Sequence, residues 1–501
     1  MLISKFVAAC GAALPVAPCA RSRIESGVCF NSSRRLRKTQ RTPARSIAFL
    51  LFALMSLPAR SQPEIAAASP TPPPVLIPAL ESLAEAKRQD FDVKGQLTYI
   101  GQVKPGFRAA YTLPGFNSLS TSKAESHSFT ATGYLGARLW SGAEAYINEE
   151  MVIGVPFSNL AGLAAVPNTE LQKASGPTPL FYTPRAFVRQ TWGLGGETRQ
   201  ADSGFNQLAG ALESRRLVLS AGKLSVMDIF DGNAYAHDGR KDFFNWVNVA
   251  GGAFDYAADV RGYSIGAAIE CYRDEWVFRA ARFAVPRQSN GLQLNYSIMN
   301  FHGDQAEIER AHELAGLPGK ARLLFFRNRE LMGRFDDALA VAAKRGDTPD
   351  VATVRRPDTK RGFVLNLEQS VARDLGIFAR LSRNDGQTEM FSYTEVERSL
   401  QLGASLSGDR WGRHGDTFGV ARTVNGLSTA HRAYLAAGGT GFLIGDGKLD
   451  YRPETLSEIY YSVPLGKTSW LTANWTHIAN PAYNADRGPV NVFGVRIHAE
   501  F

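Results

Sequence analysis

VNVFGVRIHAEF, residues 490–501, is the stretch that decides the fold. From Phe493 the odd positions are Phe493, Val495, Ile497, Ala499 and Phe501, and the even positions include Arg496, His498 and Glu500. Successive side chains on a strand point to opposite faces, so this segment has one oily face and one charged face. Chain ends fray unless something ties them down. In hydrocarbon the tie is compulsory: every backbone N–H and C=O must be paired, so a sheet in lipid joins its last strand to its first. The segment is expected to face lipid and seal such a sheet, with Phe501 near an interface, where aromatic rings favour the headgroup level.

The same period recurs upstream. YLGARLW (134–140) puts Leu135, Ala137 and Leu139 opposite Arg138. Past the turn signal Trp140-Ser141-Gly142, the chain returns with Ala143, Ala145 and Ile147 opposite Glu144, Tyr146 and Asn148. Leu292, Leu294, Tyr296 and Ile298 alternate with Gln293, Asn295 and Ser297. Phe363, Leu365 and Leu367 oppose Asn366 and Glu368, and Ile377, Ala379 and Leu381 oppose Arg380, Ser382 and Asn384. Leu400, Leu402, Ala404 and Leu406 oppose Ser399, Gln401 and Ser405. A soluble all-β protein can alternate too, but its strands are usually ~5–6 residues long. These runs approach the ~9–11 residues of a tilted membrane strand. Tight turns (Trp140–Gly142, Arg273–Glu275) occur beside long connections (Met151–Thr183, Asp228–Gly252, Asn425–Tyr451), the rim asymmetry of a membrane barrel. About eighteen runs qualify as strands. The inward and outward assignment breaks down after Ala321.

The chain carries 56 Lys+Arg and 47 Asp+Glu, a net charge of +9. Residues 1–61 hold ten basic side chains and one acid, leaving 46 of each sign beyond them (56 less 10, 47 less 1), so the excess belongs to the leader. That removes the argument for a nucleic-acid partner. RRLRKTQRTPARS followed by the apolar run Ile47–Leu57 reads as a signal peptide cleaved before Gln62, preceded by an upstream extension. Three of the four cysteines, Cys10, Cys19 and Cys29, lie in this leader. The expected organisation is extension and signal (1–61), proline-rich linker and short helix near Ala79–Gln89 (62–89), and one barrel domain (90–501). Two loop helices are expected: Arg329–Gly346, with Lys344 and Arg345 in its last turn and Gly346 as its stop, and Ser428–Gly439, capped by Ser428.

Motifs for other chemistry are weak. Gly439-Thr440-Gly441 with Gly445 follows a helix, not a strand, and Gly466-Lys467-Thr468 lacks the first glycine of a phosphate loop. Asp228, Asp231 and Asn233 lack the other ligands of a calcium loop. The eight histidines are scattered, and no serine sits in a nucleophile elbow. No cofactor, metal or catalytic group is expected.

Four long stretches carry a resemblance: GKLSVMDIFDGNAYAHDGRKDFFNW (222–246), GAFDYAADVRGYSIGAAIE (252–270), ERSLQLGASLSGDRWGRHGDTFGVARTVNGLS (397–428) and AYLAAGGTGFLIGDGKLDYRPE (433–454). The sequence resembles the OprB family of carbohydrate-selective porins over about Asp90–Phe501. One departure is Gly239, where relatives often have Pro, which would make that loop more mobile. The resemblance implies an all-β fold, a transmembrane antiparallel β-barrel of about 16 strands with short turns at one rim and long loops at the other. It implies residence in a bacterial outer membrane and passive diffusion of neutral sugars such as glucose. A general or anion-selective porin, or a barrel enzyme, is the alternative. Expected partners are neutral sugars, outer-membrane lipid, the outer-membrane assembly machinery through the strand ending in Phe501, and a second copy in a homo-oligomer.

A sugar has hydroxyls at its edge and C–H patches on its faces, so a selective pore should offer charge-assisted hydrogen bonds and aromatic planes. By parity Arg138, Glu144, Tyr146, Asn148, Glu368 and Arg380 face the lumen. The segment Asp228–Trp246 is expected to fold inward, either narrowing the pore or stiffening the wall. Its polar groups are Asp228, Asp231, Asn233, Tyr235, Asp238 and Arg240, with Phe243 and Trp246 as stacking planes.

Overall fold

The structure, a computed structural model, describes residues 88–174, 176–391 and 394–501. The leader, the proline-rich linker and all but the last two residues of the expected helix Ala79–Gln89 lie outside them.

Sixteen antiparallel strands close into one barrel. They are β1 (Phe91–Lys104), β2 (Ala124–Trp140), β3 (Ala143–Val155), β4 (Gly176–Gly193), β5 (Arg215–Leu224), β6 (Ser264–Arg273), β7 (Trp276–Phe283) and β8 (His302–Leu314). Then follow β9 (Leu317–Met332), β10 (Arg356–Ala372), β11 (Leu375–Asn384), β12 (Arg398–Ser407), β13 (Thr417–Gly426), β14 (Glu454–Pro464), β15 (Ser469–Ala479) and β16 (Val490–Glu500). Each pairs with its neighbours in sequence, and β16 pairs back with β1 from Gln96↔Glu500 to Val103↔Phe493. Two further bonds extend the seam: Gly95 N donates to Phe501 O (2.7 Å), and Phe501 N donates to Gly95 O (2.9 Å). A Cβ on Gly95 would lie 2.3 Å from the Phe501 ring, so glycine there lets the ring lie against β1.

Sidedness follows the alternation. Phe493, Val495 and Ile497 are 51%, 47% and 47% exposed, whereas Arg496 and His498 are 1% exposed. Leu135, Ile147, Leu367, Leu381 and Leu400 are also exposed. Large apolar side chains stand outside and polar ones inside, the reverse of a water-soluble domain and the arrangement a bilayer requires. At Arg138/Trp140 a bulge shifts the register, and Leu139 and Trp140 are both exposed.

Four expectations are corrected. The strand count is sixteen in the barrel rather than eighteen; two small hairpins, Thr198–Ala201 with Gly210–Glu213 and Val285–Pro286 with Leu294–Asn295, stand apart from it. Of the alternating run Leu292–Ile298, only Leu294–Asn295 is paired, and Leu292 and Tyr296 are exposed on a loop. The connection within Met151–Thr183 is shorter than expected, because β3 extends to Val155 and β4 begins at Gly176. The first loop helix is shorter than expected, Phe335–Arg345 ended by left-handed Gly346, because Arg329–Met332 continues β9; the second forms at Thr429–Ala436, where the Ser428 side chain accepts from His431 N (3.1 Å).

The short-turn rim and the long-loop rim differ as expected. At the long-loop rim, segments around Leu119, Phe157, Leu163, Tyr434 and Tyr483 share an apolar core. A second core lies inside the barrel, where Leu324 and Phe326 of β9 and Val364 of β10 meet Phe230, Phe254 and Tyr256 of the loop after β5. The upper lumen is thus packed, not wet.

Candidate functional site: a loop across the bore

The loop joining β5 to β6, residues 225–263, crosses the barrel interior and is bonded to the wall on both sides. It begins with a capped turn in which the Ser225 side chain accepts from Met227 N (3.3 Å) and Asp228 accepts from Ser225 N (3.0 Å). Asp228 also takes a two-pronged contact from Arg185 of β4 (2.7 and 2.6 Å). Burial would raise its pKa, but Arg185 outweighs that and holds the carboxyl below its ordinary value.

Asp231 is the first anchor. It is fully buried, its carboxylate accepts from Gly251 N (2.6 Å), Asn366 Nδ2 (2.6 Å) and Arg380 Nε (3.2 Å), and its N–H donates to Glu307 (2.9 Å). Arg380 has no exposed surface; its remaining bonds go to the carbonyls of Ala236 (2.6 Å), Asp231 (3.3 Å) and Asn248 (3.5 Å). Asn233 donates to Asn366 (2.8 Å), Glu368 accepts from Ala234 N (2.8 Å), and Tyr235 bonds Ser370 (2.8 Å).

The second anchor lies on the opposite wall. Arg496 of β16 donates to the carbonyls of Gly239 (3.0 Å), Asp242 (2.8 Å) and Lys241. Arg240 reaches Thr132 (3.1 Å), Glu150 (2.7 Å) and Glu170 (2.8 Å). A Cβ at Gly239 would lie 2.1 Å from Thr169 Oγ1, so the backbone there is in close contact with the preceding loop. Asp238 accepts from Arg240 N (2.8 Å). Phe243 is fully buried, edge-on to Phe378 (5.7 Å) and Tyr460 (5.0 Å), while Trp246 lies 6.0 Å from Tyr256.

Beneath this loop, toward the short turns, is a cavity of about 660 Å3. Its roof is Met227, Asp228, Ile229, Gly232 and His237 of the loop. Its wall is a charged girdle from β2 to β9. Arg279 pairs with Glu307 (2.7 Å), Glu309 (3.0 Å) and Glu270 (3.2 Å), and Arg322 pairs with Glu309 (2.8 Å) and Glu368 (3.0 Å). Lys320 meets Glu309 (3.2 Å), and Arg138 meets Glu144 (3.0 Å). Tyr272 donates to Glu270 (2.8 Å), with the Arg216 guanidinium 3.6 Å from its ring centre. Below, the connection from β4 to β5 folds back into the mouth: Ser203 bonds Asp92 and Lys94, Phe205 lies 4.4 Å from Tyr134, and Asn206 accepts from Asn148 (2.9 Å).

Of the wall residues expected from parity, Arg138 and Glu144 border the cavity. Tyr146 faces inward but is 4% exposed, stacked on Phe187 (5.2 Å) with its hydroxyl between Glu144 and Leu208 N. Asn148, Glu368 and Arg380 are buried in contacts with inward-folded segments. Of the loop residues expected from the sequence, only Asp228 borders the cavity; the planes of Phe243 and Trp246 pack on protein. Arg279, Glu309, Lys320 and Arg322 also line the cavity and are absent from the expected set, although HGDQAEIERA alternates plainly, with Ile308 outward between Glu307 and Glu309.

A narrow, wet chamber walled by paired Arg and Glu, under a loop pinned across a sixteen-stranded barrel, is the architecture of a selective diffusion channel. The profile of the carbohydrate-selective porin family, OprB, matches residues 118–501. The chain belongs to the OprB family. It is an outer-membrane porin for carbohydrates, and family and fold alike are those of channels. A search of curated proteins gave no match. Among solved structures, the chain is similar to OprB of Pseudomonas putida at high pH, with 16% identity over 82% of this chain and 94% of that one and a TM-score of 0.62. It is similar to the low-pH structure of the same protein at 13% identity, covering 82% and 93% of the two chains, with a TM-score of 0.43. In an OprB-type porin the alternating donors and acceptors of the girdle suit a solute ringed with hydroxyls, each of which both gives and accepts a hydrogen bond.

Proposed function

We propose that this porin passes neutral sugars such as glucose by passive diffusion, performs no reaction on them, and recognises them in the chamber beneath the inward loop. The observation that carries the reading is the interleaving of Arg279, Arg322, Lys320 and Arg138 with Glu270, Glu309 and Glu144. Paired charges present donors and acceptors together without a single-sign field, which favours uncharged, polyhydroxylated cargo over phosphate. Arg138, Glu144 and Asp228 are proposed to meet the sugar directly. Tyr146, Asn148, Glu368, Arg380, Asp231, Asn233, Tyr235, Asp238, Arg240, Phe243 and Trp246 are proposed to shape the passage by holding the loop and wall. Residues 1–61 are proposed to be removed as extension and signal, leaving the linker (62–89) and the barrel domain (90–501). The strand ending in Phe501 is proposed to engage the assembly machinery.

Liposome swelling with a sugar panel is the test. Entry of glucose that saturates and is several-fold faster than that of a trisaccharide or a sugar phosphate supports the reading. Equal entry of all solutes up to one size limit contradicts it and favours a general porin, and faster entry of the phosphate favours an anion-selective one.

A further inference from the structure

The outer face of the barrel carries charge where lipid should be. In the hydrogen-bonded registers, Arg282 of β7 stands opposite Asp304 of β8, Asp304 opposite Arg327 of β9, and Arg327 opposite Arg361 of β10. Arg383 of β11 is opposite Phe363, two residues along β10 from Arg361, and Arg398 of β12 is opposite Arg383. All lie on the parity of the exposed apolar belt. The next residues on that face, toward the short turns, are Phe325, Phe363, Leu381 and Leu400. The row therefore marks the boundary of the hydrocarbon belt on the long-loop side, which in such barrels is the outer side of the membrane. At corresponding strand ends across the barrel, the outward positions Val103, His127, Ile153, His477 and Phe493 include no arginine.

The acid in the row is already occupied. Asp304 accepts from Arg282 (2.7 and 3.0 Å) and from Arg327. Asp385, just past the end of β11, accepts the backbone N–H of Arg361 (2.8 Å). Arg398 donates to Leu427 O (2.7 Å). Arg329, Arg361 and Arg383 are exposed, and among the described residues no carboxylate pairs with their guanidinium groups. An arginine fork matches phosphate oxygens two at a time and is weakly hydrated, which suits a site at a bilayer surface.

We propose that this face of β7–β12 binds a phosphorylated glycolipid of the outer leaflet, its phosphate taken by Arg329, Arg361 and Arg383 and its acyl chains lying on Phe325, Phe363, Leu381 and Leu400. The lipid is the occupant argued for because the arginines stand directly above an apolar belt: one molecule supplies both the anion and the chains.

The test is the full protein in detergent, titrated with diphosphorylated lipid A, with the same lipid after removal of its phosphates, and with inorganic phosphate. The variant is Arg329→Gln/Arg361→Gln/Arg383→Gln, with Arg199→Gln at the other rim as control. Each basic residue at an anionic lipid surface is worth about a factor of five, so the triple variant should lose about 100-fold in affinity for the phosphorylated lipid. The dephosphorylated lipid should bind the native protein as poorly as the variant binds the phosphorylated one, and Arg199→Gln should change nothing. Equal binding by native protein and triple variant overturns the proposal. So does displacement of the lipid by equimolar inorganic phosphate, which marks an ion site, or loss of an oligomer in the variant with lipid binding unchanged, which marks a protein interface. Glucose flux and heat-resistant mobility report whether the variant is folded; if it is not, Arg361→Gln alone should weaken lipid binding about fivefold, and no change there likewise overturns the proposal.

Discussion

Replacing Arg380 with alanine should loosen the inward loop without opening the barrel. Arg380 is fully buried and gives the loop four hydrogen bonds, to Asp231 Oδ1, Asp231 O, Ala236 O and Asn248 O. Removing one partner of a buried ion pair costs about 3–5 kcal/mol, because the other charge stays buried. Asp231 keeps Asn366 and Gly251 N, each at 2.6 Å, so the lower end applies, about 3 kcal/mol. That free energy falls on the opening of the loop, since strand pairing on either side of β11 is independent of it. Hydrogen exchange of the 231–251 amides should accelerate about 100-fold, with strand amides unchanged. Single-channel conductance should rise and glucose block weaken. Arg380→Ala/Asp231→Ala should recover part of the loss, since it leaves no buried charge alone. Unchanged exchange and conductance in Arg380→Ala would refute the pinning, and collapse of the whole barrel would show that the loop and the wall are one cooperative unit.

Arg138→Ala removes a chamber donor, so the glucose concentration that half-blocks the channel should rise about 10-fold, the worth of a charge-assisted hydrogen bond, with folding intact; no change rejects Arg138 as a sugar contact. Gly95→Leu places side-chain atoms where the Phe501 ring lies, so the heat-resistant folded fraction should fall, and Phe501→Ala should restore it; a fully folded Gly95→Leu barrel would show that the ring simply moves aside. Burial pushes the Glu170 carboxyl up, but Arg240 and Lys173 outweigh it and hold it far below its ordinary 4.5. A depressed pKa stabilises above the unfolded value and is lost only as pH falls through the folded one. Loop-controlled conductance should therefore be flat from pH 7 to 4; a conductance rise centred near pH 4.5 would show that this carboxylate is not ion-paired. Burial raises the Glu395 carboxyl, which accepts from Leu443 N (2.7 Å) and Ile444 N (2.9 Å). A raised pKa favours the folded cap at low pH and weakens it as pH climbs above 4.5, so exchange at 443–444 should quicken with pH beyond the intrinsic trend, and Glu395→Gln should abolish that excess.

The sidedness of the barrel was legible wherever the inner face was polar. Phe493 to Phe501, Leu135 and Ile377 to Leu381 could be assigned from alternation alone, because lipid outside and polar groups inside keep the period of two sharp. It failed at ARLLFFRN, where Leu324 and Phe326 point inward and pack on Phe254 and Val364, making both faces of β9 apolar. The start of β4 was hidden by Pro177, Pro179 and Pro184. Residues 176–182 pair only with β3, while pairing with β5 begins at Ala186, so Pro177 and Pro179 sit in a stretch with one unpaired edge, where proline is tolerated. The inward fold of the loop is expected from the sequence either to narrow the pore or to stiffen the wall, and most of its polar groups bond to the wall or to the loop itself. Sequence carries no signal that Arg380 and Arg496 would aim at loop carbonyls. The re-entrant segment Ser203–Leu208 has no periodicity and sits at the rim where turns are usually short.

Conductance through single channels in planar bilayers, with glucose added stepwise, tests the central claim most directly: a sugar chamber beneath a pinned loop. Small openings that glucose closes in a saturable way, and that grow and lose the block in Arg380→Ala, are predicted. Wide, ohmic openings indifferent to glucose in native protein and variant alike would contradict it.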